Sequence, residues 1–176
     1  MGSRKKSTSR LTPTPRPAIT LPLRGPAPES PRAQLARFIA RFTPEIASLA
    51  RGAIAEMTRR LPGAIVFVYD NYQALVVGFG PTERPSDAIF SVVIFPKKVA
   101  LCFLQGARIP DPKKRLRGSG NVVRSVLIED RQTLAEPEVV ELIGVALACA
   151  KVPLDPRAKG RLWIKSISKK QRPRRP

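Results

Sequence analysis

The sequence predicts an α+β domain: a mainly antiparallel sheet of about five strands, with two helices before it and one after it. Two observations predict this. Apolar residues recur at helical spacing between residues 31 and 61, fall into strand-like runs between 64 and 128, and return to helical spacing after Pro137. The connections are short, so neighbouring strands pair antiparallel and the helices gather on one face. With 43% hydrophobic residues in 176, the chain can build one core flanked by tails.

Each element has a local reason. Ser30-Pro31 is a helix start, with a capping hydroxyl and a first-turn proline. Leu35, Phe38, Ile39 and Phe42 then follow at i, i+3, i+4 and i+7, with Arg37 and Arg41 on the wet face. Thr43-Pro44-Glu45 repeats the start signal. Ile46, Leu49, Ala50, Ala53 and Met57 form the second apolar stripe, which stops at Leu61-Pro62-Gly63. Residues 64–69 are β-branched and aromatic, Asp70-Asn71 is a turn, and 73–79 is the next strand. Gly80-Pro81 opens a polar loop. Strands over 88–95 and 99–104 flank the turn Pro96-Lys97-Lys98. A loop rich in Gly, Pro and charge covers 105–121, and 122–128 is the fifth strand. Pro137 opens a helix over 138–151 that is apolar on most sides, so deep packing is expected. Pro153 and Pro156 mark a linker to a short strand-like run, 161–168. The ordered domain is expected to span 31–168, between a basic Pro-rich tail (1–30) and a basic C-terminal tail (169–176), both disordered.

The chain carries 32 Lys and Arg against 13 Asp and Glu, a formal charge of +19. Residues 1–30 hold six basic residues and one acid, and 161–176 hold seven and none. Residues 106–124 add Arg108, Lys113, Lys114, Arg115, Arg117 and Arg124 against Asp111. The remaining body is nearly neutral. Basic tails of this kind contact nucleic acid or another polyanion through counterion release, or simply keep the chain soluble. There is no histidine, which excludes Ser-His-Asp and Cys-His catalysis and His-ligated zinc. Two cysteines make neither a zinc knuckle nor a disulfide scaffold. Neither a signal peptide nor an apolar run of membrane-spanning length is visible, so a cytoplasmic location and no membrane partner are expected.

Three constellations could carry chemistry. Asp111, Gly118, Ser119, Gly120 and Arg124 could grip a phosphate or carboxylate: the glycines let N–H groups converge and the arginine adds a bidentate contact. The same residues also suit a plain turn into a strand. Tyr69, Asp70, Asn71 and Tyr72 could line a polar pocket or stack a base, or act only as strand and turn formers. Glu129, Asp130, Glu136, Glu138 and Glu141 could hold a hard cation, or be solvated acids beside a helix N-terminus. Cys102 and Cys149 sit in apolar segments as core thiols. Trp163 is a packing anchor or, between Arg161 and Lys165, a stacking platform.

These motifs carry a family resemblance. Tyr69–Tyr72 with Ala74–Phe79, Phe103–Gly106, Ile109–Pro112, Gly118–Gly120 and Arg124 resemble the YdhG-like bacterial domain. The ending 160–168 followed by 170–176 resembles a longer subgroup of it. The resemblance covers about residues 34–176 and implies a compact α+β fold with no assigned activity. For some relatives it implies frataxin-like iron handling. Where the family often carries Lys and His around the glycine loop, this chain has Asn121 and Ser125.

The expectation that follows is a non-enzymatic module taking an anionic small molecule or protein partner at the Gly-Ser-Gly loop, facing Tyr69–Tyr72, with tails that contact nucleic acid. The alternatives are an iron-binding protein using the five acids, with iron as its only cofactor, and an enzyme using Asp70 or Asp111 as general base.

Overall fold

The structure, a computed structural model, describes residues 28–176. The tail expected over 1–30 therefore lies almost wholly outside the described residues. Helix α1 (Pro31–Ile39) starts where Ser30 Oγ accepts the Ala33 N–H at 3.2 Å, and helix α2 (Pro44–Arg60) where Thr43 Oγ1 accepts that of Ile46. Both have proline in the first turn, where no N–H is missed.

Six strands follow: β1 (Ile65–Asp70), β2 (Leu75–Gly80), β3 (Phe90–Phe95), β4 (Lys98–Phe103), β5 (Arg124–Ile128) and, after α3 (Pro137–Ala148), β6 (Arg161–Ile167). The sheet order is β5-β4-β3-β2-β1-β6. The first five strands form an antiparallel meander, as expected from their short connections. The run 161–168 is a full sixth strand. It enters parallel to β1, because α3 and the linker have carried the chain back to the starting end of the sheet. The fold is α+β, with a mixed, mostly antiparallel sheet.

Several boundaries differ from the expected ones: β2 starts at Leu75 and β3 at Phe90, each two residues later than expected, and two more differ for a visible reason. Val122 and Val123 are exposed at the tip of a loop, and pairing starts only at Arg124. Helix α3 ends at Ala148, capped by Cys149, since Pro153 has no N–H to give the Cys149 carbonyl four residues back. It also buries one stripe only (Val139, Leu142, Ile143, Ala146), leaving Val140 exposed.

Strand alternation assigns the core. Val66, Val68, Leu75, Val77, Phe79, Phe90, Val92, Ile94, Leu101 and Phe103 point to the helices and pack with Phe38, Phe42, Met57 and Leu142. Phe90 and Phe103 meet edge to face, centroids 5.4 Å apart. Each such ring, fully buried, contributes roughly 1.5–3 kcal/mol. Turn closure requires glycine at Gly63 (φ +81°), where a Cβ would lie 2.1 Å from the Asp155 carbonyl oxygen.

Candidate functional site

Asp70 ends β1 on the helix-facing side and is wholly buried. A lone carboxylate there is unstable without cations. Arg41, from the α1–α2 connection, donates to Oδ2. Gln171 donates to the same oxygen, and Arg174 Nη2 donates to Oδ1 at 2.8 Å. Arg174 also reaches the Asn71 carbonyl and lies 5.6 Å from the Phe42 ring centroid. Its side chain is only 3% exposed. Two guanidiniums thus surround one carboxylate.

The partners of Asp70 correct the expectation for residues 169–176. This segment is a docked strap. Ser168 N–H donates to the Asp70 carbonyl at 2.9 Å and Arg172 N–H to that of Tyr72 at 2.8 Å. Arg175 donates to the Phe42 and Ala40 carbonyls at the end of α1. Gln171 and Arg174 face inward, while Arg172 and Arg175 face out. Against the β3–β4 turn they form a groove of about 460 Å³, lined by Phe95, Lys97, Lys98, Arg172, Arg175 and prolines. Four basic side chains and no Asp or Glu line it. Sequence reasoning placed Lys97 and Lys98 only in a turn, and Arg172 and Arg175 in a tail. The signal available was Asp70 itself, the single acid in all six strands.

The glycine loop is arranged differently from a phosphate grip. Gly118 takes φ +117°, but Gly120 is not in the left-handed region, so the two do not form the expected nest. Arg124 turns inward and donates to the Gly120 and Val123 carbonyls. Ser119 is exposed, and Asp111 accepts the N–H groups of Arg115 (2.9 Å) and Leu116 (2.7 Å). Lys113 and Arg115 are spent on Glu138 and Glu136 at the start of α3. The loop also does not face Tyr69–Tyr72. Arg124 aligns with Phe103, Phe90, Phe79 and Val66, at the other end of the sheet from Asp70 and Leu75. Four strand spacings separate β5 from β1, roughly 19 Å. Within the motif Tyr69 is half-buried, and Asn71 and Tyr72 are exposed at the turn.

The five acids are not a preformed metal centre. Among the described residues no three of Cys, Asp and Glu come together to hold an ion. Asp130 caps the turn at Gln132 and Thr133, whose N–H groups hold its carboxyl below the ordinary value, that of Thr133 foremost. Glu138 is held low first by its own backbone N–H and then by Lys113. Glu129 and Glu141 are exposed. The two general-base candidates are likewise occupied: both oxygens of Asp70 take arginine or glutamine, and both of Asp111 take backbone N–H groups. Cys102 is half-buried and Cys149 exposed. Burial pushes the Cys102 thiol up, opposed by its hydrogen bond with Ser91.

No family model, no curated protein and no solved structure matches the chain. What stands is the class: a two-layer α+β domain with a buried arginine–aspartate junction that fixes a basic strap across one end of the sheet.

Proposed function

We propose that this protein is a non-catalytic binding module for a phosphate-bearing polyanion, taken in the groove between the strap and the β3–β4 turn. The observation that carries this is the charge of the groove: Lys97, Lys98, Arg172 and Arg175 converge there with no Asp or Glu among the lining residues. The contrast with the glycine loop supports it, since Lys113 and Arg115 of that loop are paired with acids, whereas none of the four groove cations pairs with a carboxylate among the described residues. Asp70 orders the strap, so its cations are held in place at less entropic cost than on a free tail.

The test is binding of a labelled oligonucleotide to the full chain by fluorescence anisotropy over a salt series. Affinity should fall linearly on a log–log plot, and the Lys97→Glu/Lys98→Glu variant should flatten the slope by about 2, one per lost phosphate contact. Both residues are exposed, so the fold should survive, as circular dichroism will check. A wild-type affinity indifferent to salt, or a double variant that binds as well as wild type, would refute the reading.

A further inference from the structure

The α-helices cover one face of the sheet, and the other is met at its Gly80 end by the loop that carries Ala88. Alternation places Phe67, Tyr69, Val76, Val93, Phe95 and Trp163 on this second face, all but Phe67 half-exposed. Across its middle strands the residues are small. Gly78 pairs with Ser91, Ser91 with Cys102, and Cys102 with Ser125. The small residues form a shallow floor beside an aromatic wall built by β1 and β6.

The strand residues of this face carry only positive charge, and the one carboxylate beside them among the described ion pairs is Glu83, 3.9 Å from Arg161 at the far end. Lys165 Nζ stands 4.0 Å from the Trp163 ring centroid and 5.3 Å from that of Phe67. Arg161 lies 4.6 Å from the Trp163 centroid, and Lys98 lies 5.3 Å from that of Phe95. No strand places an acid here, since Asp70 points to the helices. Phe95 and Lys98 also line the basic groove, so groove and face are continuous. A second copy is a poor occupant: face to face, two copies would bring Lys98 and Lys165 of each together, with Glu83 the single acid paired here and already beside Arg161.

We infer that the open face receives a single strand of nucleic acid, continuing from the groove. Phosphates lie along Lys98, Lys165 and Arg161, and bases lie against Tyr69, Val76, Val93 and Phe95. This deepens the polyanion reading and rests on it. The half-exposed apolar residues Tyr69, Val76, Val93 and Phe95 select the single strand. Unpaired bases present flat apolar faces to them, whereas in a duplex those faces are stacked inside. Trp163, with a cation over its ring, orients phosphate-binding groups and is not itself the stacking surface.

The chain supplies its own reporter, because Cys102 sits on the floor and the other cysteine, Cys149, lies outside this face. In the Cys149→Ser full chain, maleimide labelling of Cys102 is timed alone, with a short oligothymidylate, and with a duplex of equal length. Anisotropy gives the two affinities, and gel filtration the oligomeric state. The inference expects the single strand to bind about tenfold more tightly than the duplex and to slow labelling by a similar factor. Lys165→Glu should remove most of that preference. Equal affinity for both forms with unchanged labelling overturns this inference while leaving the polyanion reading intact. Binding of neither overturns both. A dimer whose Cys102 is protected without nucleic acid gives the face to a second copy and overturns the inference.

Discussion

Replacing Asp70 by Asn tests the junction that holds the strap. The change keeps the shape and removes the charge. Arg174, at 3% exposure, is then left with no counter-charge, and Arg41 loses its partner too. Removing one member of a buried pair costs about 3–5 kcal/mol, mostly the penalty of the stranded cation. A domain of this size holds roughly 5–15 kcal/mol in total. Asp70→Asn should therefore lower the thermal midpoint by about 10–15 °C. Arg174→Met should be far milder. It replaces a side chain whose Nε and Nη1 are buried without partners, and Asp70 keeps Arg41 and Gln171. The double variant should then be more stable than Asp70→Asn alone, a coupling of about 1–3 kcal/mol. Urea unfolding of the four proteins measures it. A loss below about 1 kcal/mol in Asp70→Asn, or strictly additive variants, would refute the account of a cation stranded by its missing carboxylate.

Other outcomes follow from local geometry. The Glu56 carboxyl is pulled to about 2, chiefly by the Arg59 hydrogen bond and then by Arg60, from an ordinary 4.5. A depressed folded value adds stability that is complete above the unfolded value and is lost as pH falls towards 2. Since Arg59 is largely exposed, screening limits it to about 1 kcal/mol, and Glu56→Gln should remove that part of the acid limb of a stability–pH curve. Gly63→Ala should cost at least about 2 kcal/mol in urea unfolding, through its positive φ and the Asp155 carbonyl in its path. With a thiol reagent, exposed Cys149 should label well before Cys102, whose thiolate burial disfavours; equal rates would contradict that burial.

The elements legible in the sequence are those whose causes are local. Ser30-Pro31 and Thr43-Pro44 mark helix starts within one residue, because capping acts over three residues. The β3–β4 turn is likewise visible in Pro96-Lys97. The junction was not legible. Asp70 is bound by side chains 29, 101 and 104 residues away, and nothing local announces them. The glycine loop misled for the same reason. Arg124 looks like a free guanidinium in the sequence, but the fold turns it onto two carbonyls of its own loop. Charge counts along a chain record where cations are, and only the fold decides which of them are already neutralised.

The parallel docking of β6 has a consequence for how the chain is made. Until residues 161–167 arrive, β1 is an edge strand with free hydrogen-bonding groups and buried-type side chains such as Val66 and Val68 on offer. A chain emerging in order from the ribosome can close the β1–β5 meander early, yet it must wait through α3 and the linker before that edge is sealed. During the wait the natural rival of β6 is another nascent copy. A fragment stopped short of Arg161 should therefore aggregate through β1, and the docking of β6 is the step that ends this exposure.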